Sequence, residues 1–150
     1  MPVSDLSNSV NHRLIYLLNV AQRRLQRFAA ARSEGGITPA QSGLLFILGK
    51  QDGVLMGEAG AALDLGPAGV SGLVDRMAAA GLVERRADAA DKRAWRVHLT
   101  ARGRAALARA RAGAAELNAR LMEGFTREEI DVVARWLSSF RTKFPTGEDE

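Results

Sequence analysis

No cysteine occurs anywhere in the chain, which removes disulfides, thiol catalysis, thiol redox sensing and thiolate metal sites together. Histidine is nearly as scarce. His12 and His98 stand alone, and two isolated imidazoles do not make a zinc site. Long apolar runs are missing too: Leu44-Leu45-Phe46-Ile47-Leu48 falls far short of the ~20 residues a membrane span needs. Met1 to Asn11 has neither the basic start nor the apolar stretch of a secretory signal, so a cytoplasmic location with no membrane partner is expected. Enzyme signatures are equally lacking. There is no nucleophile elbow, phosphate loop, dinucleotide fingerprint or paired-histidine metal motif, and the glycines between Gly57 and Gly66 are followed by no phosphate-loop lysine. The expectation is a protein that is not an enzyme and that uses no cofactor and no metal.

What is present fits one globular domain. The 150 residues are 47% hydrophobic and 25% charged, enough to bury a core but too few for two independent ones. The net charge is only +4, yet Arg85 to Arg111 carries nine basic residues against Asp88 and Asp91, so the rest of the chain sums to −3. A basic segment on a slightly acidic body is what a polyanion-binding surface requires.

Periodicity places the elements. Leu14, Leu17, Leu18, Ala21, Leu25 and Phe28 form an apolar stripe on a helix from about Leu6 to Ala31, which Gly35-Gly36 ends. Thr38, Pro39 and Gln41 open a second, nearly all-apolar helix with the residues of a capping box. Lys50 to Gly53 is a polar turn, and Val54-Leu55 is long enough only for a short sheet edge. Helices over Gly57–Leu63 and Pro67–Ala80 are separated by Asp64-Leu65-Gly66, which makes a helix-turn-helix. Val70, Leu73, Val74 and Met77 give the second of these its inward stripe, and Gly81 its C-terminal cap. Two alternating strands follow, Leu82–Arg86 and Ala94–Leu99, with a polar tip from Ala87 to Arg93. Trp95, sharing the Val97 and Leu99 side, is expected in the core. Thr100 caps a long Ala/Arg-rich helix reaching Gly124, and Thr126 with Glu129 forms a second capping box. In the final helix Ile130, Val133, Leu137, Phe140 and Phe144 make a heptad-like seam that wants a partner helix. A hairpin directly after a helix-turn-helix is a winged helix. The fold class is therefore mainly α (α+β), a winged helix-turn-helix with a two-stranded β-wing between N- and C-terminal helices.

The second helix of a helix-turn-helix enters the major groove, and its N-terminal residues meet base edges. Here they are Pro67, Ala68, Gly69, Ser71 and Gly72, with Arg76 one turn on. No Arg, Asn or Gln stands at that tip for a bidentate base contact.

Gly69-Val70-Ser71-Gly72-Leu73-Val74-Asp75-Arg76-Met77, Gly81-Leu82-Val83-Glu84-Arg85, Asp91-Lys92-Arg93 and Val97-His98-Leu99-Thr100-Ala101-Arg102-Gly103 together resemble the MarR family of bacterial transcription regulators. Over nearly the whole chain the order of elements fits. The resemblance implies one MarR-like domain over residues 1–150. Its winged lobe would span 37–100, and dimerisation helices 1–33 and 101–146. It further implies a homodimer, packed through Leu14, Leu18, Ile130, Val133, Leu137 and Phe140, on a pseudo-palindromic double-stranded operator. Arg93 would enter the minor groove, oriented by Asp91, with Lys92, Arg86 and Arg96 on phosphates. Many relatives are repressors released by a small effector, often an aromatic or phenolic acid, for which His12, Arg13 and Tyr16 are the candidates here. A protein-interaction module, or DNA binding under no ligand control, is the alternative on the same fold.

Overall fold

The structure is a computed structural model that describes residues 3–32 and 36–145, with side chains from residue 13 onward. The chain divides into two compact units, residues 1–42 and 43–150. In the first, α1 spans Val3–Arg32, starting three residues before the expected Leu6 and ending one after Ala31. The Arg32 guanidinium covers the Phe28 ring at 4.4 Å. The expected capping box opens α2, Pro39–Lys50. The Gln41 N–H donates to Thr38 Oγ1 at 3.3 Å, and the Thr38 N–H donates to Gln41 Oε1 at 3.1 Å.

The second unit holds the core, in which Leu44, Leu45, Leu48, Leu73, Val74, Met77 and Val97 are sealed from solvent. Along it run β1 (Val54–Leu55), α3 (Met56–Leu63), α4 (Pro67–Ala79), β2 (Val83–Ala87), β3 (Trp95–Leu99), α5 (Ala101–Met122), α6 (Arg127–Ser138) and α7 (Phe140–Lys143). The sheet has three strands in the order β1-β3-β2, all antiparallel. Val54-Leu55 thus supplies the edge, pairing with Val97 and Arg96.

Three local devices hold α4 and the hairpin in place. Asp64 takes a left-handed conformation, φ 57°, and the Leu65 N–H donates to Gly60 O at 2.8 Å, which turns α3 sharply into α4. Gly81, φ +74°, ends α4, and the Leu82 N–H returns to Met77 O at 2.9 Å. Thr100 then fixes α5 against this turn. Its hydroxyl donates to Gly81 O at 2.6 Å and accepts the Gly103 N–H at 3.0 Å. A Cβ on Gly103 would lie 1.9 Å from Leu82 O, so only glycine permits that approach.

Two sequence expectations change. Trp95 is 47% exposed rather than core. The alternation is right, but the core ends at Val97 and the strand runs on past it. The single final helix is interrupted at Ser139, which separates α6 from α7. The Ser138 and Ser139 hydroxyls donate back to Ala134 O at 2.8 Å and Trp136 O at 2.6 Å, and such back-bonding bends helices. The rings of Trp136, Phe140 and Phe144 nevertheless continue as edge-to-face pairs, 4.9 and 5.7 Å between centroids.

Candidate nucleic-acid interface

No side chain caps the first turn of α4, which starts with Gly66 at the N-cap and Pro67 in the first turn. Pro67, Ala68, Gly69 and Arg76 are exposed, and Ser71 and Gly72 are half-buried, while Val70, Leu73, Val74 and Met77 anchor the opposite side. Arg76 finds no carboxylate partner among the described residues. Its guanidinium lies back over Gly72, with Nη1 3.3 Å from where a Gly72 Cβ would stand. The small residue therefore leaves a space that a cation one turn away fills.

Arg85, which the sequence places in the basic segment and in a family motif but gives no role of its own, is a link between helix and hairpin. Its guanidinium pairs with Asp75 at 2.6 Å and donates to Ser71 O at 3.3 Å. Arg85 stands opposite Val97 in the register, and directly opposed residues share a face. A cation on the core side of a strand, one helix away from an acid at the outer edge of α4, is the pattern that could have revealed this contact.

The hairpin tip is tied by its own aspartates. The Asp88 N–H donates to Ala94 O and the Ala94 N–H to Asp91 O, both at 2.9 Å. Asp88 Oδ2 accepts the Asp91 N–H at 3.1 Å, and Asp91 Oδ1 accepts the Arg93 N–H at 3.0 Å. Asp91 also sits 3.6 Å from Arg93 Nε, yet the Arg93 side chain is 95% exposed. Arg96 is committed elsewhere: its Nε donates to Asp88 at 2.5 Å and its Nη1 to Gly53 O at 2.8 Å, strapping the tip to the turn before β1. The Arg96 guanidinium, helped by the Asp91 N–H, holds the Asp88 carboxyl below its ordinary value of 3.8. A depressed carboxylate stabilises the fold above its unfolded pKa and loses that contribution only as pH falls through the lower folded value. The strap is thus complete at neutral pH. Arg86 pairs with Glu84, and Lys92 is exposed with no carboxylate partner among the described residues.

Of the other candidates, Arg13 and Tyr16 are exposed on α1, and the His12 side chain lies outside the described residues. Leu14, Val133 and Leu137 are exposed, while Leu18, Ile130 and Phe140 are half-buried. The second unit also carries an open depression of about 290 Å³ between α2 and α5, with Leu48, Leu99 and Leu107 beneath Arg104 and Arg111. Among the described residues no helix is long and apolar enough to cross a membrane, and no three acidic or imidazole groups cluster as metal ligands.

A helix-turn-helix whose second helix is pinned to a charged β-hairpin defines a winged-helix protein. The sequence model of the MarR family matches residues 35–94, so the segment bearing the helix-turn-helix and the wing tip is similar to that of the MarR family. A probable transcriptional regulator of Pseudomonas aeruginosa has the same fold at a TM-score of 0.79 and 27% identity, over 87% of this chain and 98% of its own. The transcriptional repressor CouR, solved bound to a 23-mer DNA duplex, matches at a TM-score of 0.75 and 27% identity, over 93% and 97%. BpsR of Bordetella bronchiseptica, whose DNA binding is regulated by 6-hydroxynicotinic acid, shares the fold at a TM-score of 0.74 and 24% identity, over 85% and 98%. No protein of curated function matches the sequence.

Proposed function

We propose that this chain is a cytoplasmic, non-enzymatic, homodimeric repressor that binds a pseudo-palindromic duplex operator. One observation carries the reading: α4 and the Asp91–Arg93 tip are held to one sheet by Arg85, Arg96 and Thr100, which fixes a helix and a cationic hairpin as a unit. CouR on its duplex supports it. Each winged lobe (residues 37–100) takes a half-site. Small residues of α4 approach the major groove, Arg93 enters the minor groove, and Lys92 and Arg86 meet phosphates. Residues 1–33 and 101–146 build the dimer, and the exposed apolar seam of α6 and α7 supports that assignment.

Binding should be carried mainly by phosphates and groove shape. If the dimer neutralises about six to ten phosphates, affinity falls ~10³–10⁵-fold between 50 and 200 mM salt. Selection of bound duplexes from a random pool, with affinities measured across that salt range, tests this. No enriched sequence and a flat salt response would refute it. Sedimentation should give twice the 16.1 kDa chain mass; a monomer at micromolar concentration contradicts the dimer.

The effector in this reading is a small aromatic or phenolic acid. It is held either by His12, Arg13 and Tyr16 or in the depression lined by Arg104 and Arg111, where Arg111 suits a carboxylate while Arg104 already faces Asp52 at 3.5 Å. BpsR supports ligand control on this fold. Repeating the selection with a panel of aromatic acids tests it, since an effector must lower the yield of bound duplex.

A further inference from the structure

Trp95 is a large exposed aromatic on a hairpin that otherwise presents charge. In the register it stands opposite Ala87, two residues beyond the Arg85–Val97 pair. Residues two apart on a strand share a face, as do residues directly opposed across a ladder. Trp95 therefore lies on the same side of the sheet as Arg85, whose guanidinium reaches α4 at Ser71 and Asp75. Val97 is fully buried on that side and Trp95 is not. The indole thus stands about 7 Å further toward the tip than Val97, on the α4 side of the hairpin and short of Arg93. Ala87 is too small to cover it. Arg96, next in sequence, points to the other face and is occupied by Asp88 and Gly53.

We propose that Trp95 is a DNA-positioning residue, seated against the sugar–phosphate strand that separates the groove entered by α4 from the groove entered by the wing tip. The inference rests on the DNA-binding reading above. Its chemistry suits a backbone better than a base: the indole plane packs on deoxyribose carbons, and Nε1–H donates to a phosphate oxygen. Such a contact fixes how deeply the hairpin settles but carries no sequence information. Because the donor is neutral, it also releases no counterion. Trp95 should therefore contribute affinity without contributing to the salt slope, unlike Arg93.

The test uses the full chain with Trp136→Phe, which keeps an aromatic ring beside Phe140 and leaves Trp95 as the sole tryptophan. A labelled 23-bp mixed-sequence duplex at 50 mM salt is the probe. Its anisotropy reports binding, while acrylamide quenching reports the indole. On saturation the quenching constant should fall at least twofold. In the otherwise natural chain, Trp95→Ala should weaken binding about fivefold through loss of ring packing together with a neutral hydrogen bond, with an unchanged salt slope. Trp95→Phe should fall between, keeping the packing without the donor. Duplex binding with undiminished quenching, or with Trp95→Ala binding as tightly as the natural chain, overturns the inference while leaving the regulator reading intact. Absence of any duplex binding at 50 mM salt overturns both. Should Trp136→Phe fail to fold by circular dichroism, the affinities of the two Trp95 variants decide alone.

Discussion

The recognition helix and the wing sit side by side but solve different problems. The first turns of α4 offer small residues and one hydroxyl, with Arg76 lying back over Gly72. The hairpin offers five cations, Arg85, Arg86, Lys92, Arg93 and Arg96. Four of these already face a carboxylate, at Asp75, Glu84, Asp91 and Asp88. A charge count along the sequence therefore overstates the free field of the wing. Neither region suits dense direct base readout: the helix lacks the long polar side chains, and most wing arginines are spent on holding shape. In the proposed function, discrimination then falls on how well a duplex fits a rigid two-part surface.

Removing Arg93 should have the largest effect. Arg93→Ala should weaken duplex binding at least tenfold and flatten the salt slope by about two for a dimer, roughly one per lost phosphate-region cation. The side chain is almost fully exposed and, among the described residues, its ion-pair partner is Asp91, so thermal stability and dimer mass should not change. Unchanged affinity would move the protein to the interaction-module reading, because Arg93 is the wing cation that the proposed function places in the minor groove.

Cutting the link between the regions comes next. Arg85→Ala leaves Asp75 as an uncompensated carboxylate on the exposed side of α4 and removes one brace between helix and hairpin. Binding should fall three- to fivefold. Stability should fall by about 0.5–1 kcal/mol, the usual worth of a partly exposed pair. Combining it with Asp75→Asn separates the causes. Restored affinity in the double variant means the loss was repulsion from the bare carboxylate. A persisting loss means the brace itself matters, and full affinity in Arg85→Ala alone would show that helix and wing act independently.

The sequence revealed most of the scaffold because its signals are local. Thr38 with Gln41 and Thr126 with Glu129 cap their helices as their spacing demands, and Gly81 ends α4 at positive φ. What escaped is non-local. Arg85 finds Asp75 across ten residues, and Arg96 reaches Gly53 across 43. Periodicity knows which face a residue takes but not where the partner element stops, which is why Trp95 read as core. The Ser138-Ser139 interruption escaped for another reason. The aromatic spacing runs straight through it, and side-chain hydroxyls bonding backward leave no trace in an apolar pattern.

The smallest expected effect bears on the helix alone. Gly72→Ala should stabilise the protein by roughly 0.5–1 kcal/mol, since alanine is the better helix former and its Cβ meets only the flexible end of Arg76 at 3.3 Å. That methyl displaces the guanidinium from its place over position 72, so duplex binding should weaken two- to threefold even as the fold gains. Arg76→Ala distinguishes displacement from a direct clash with DNA. If Arg76 is the agent, the double variant binds no worse than Arg76→Ala alone, a non-additivity expected for residues in contact. If the losses simply add, the Gly72 methyl meets DNA itself, and the surface of α4 is closer to the groove floor than its cation.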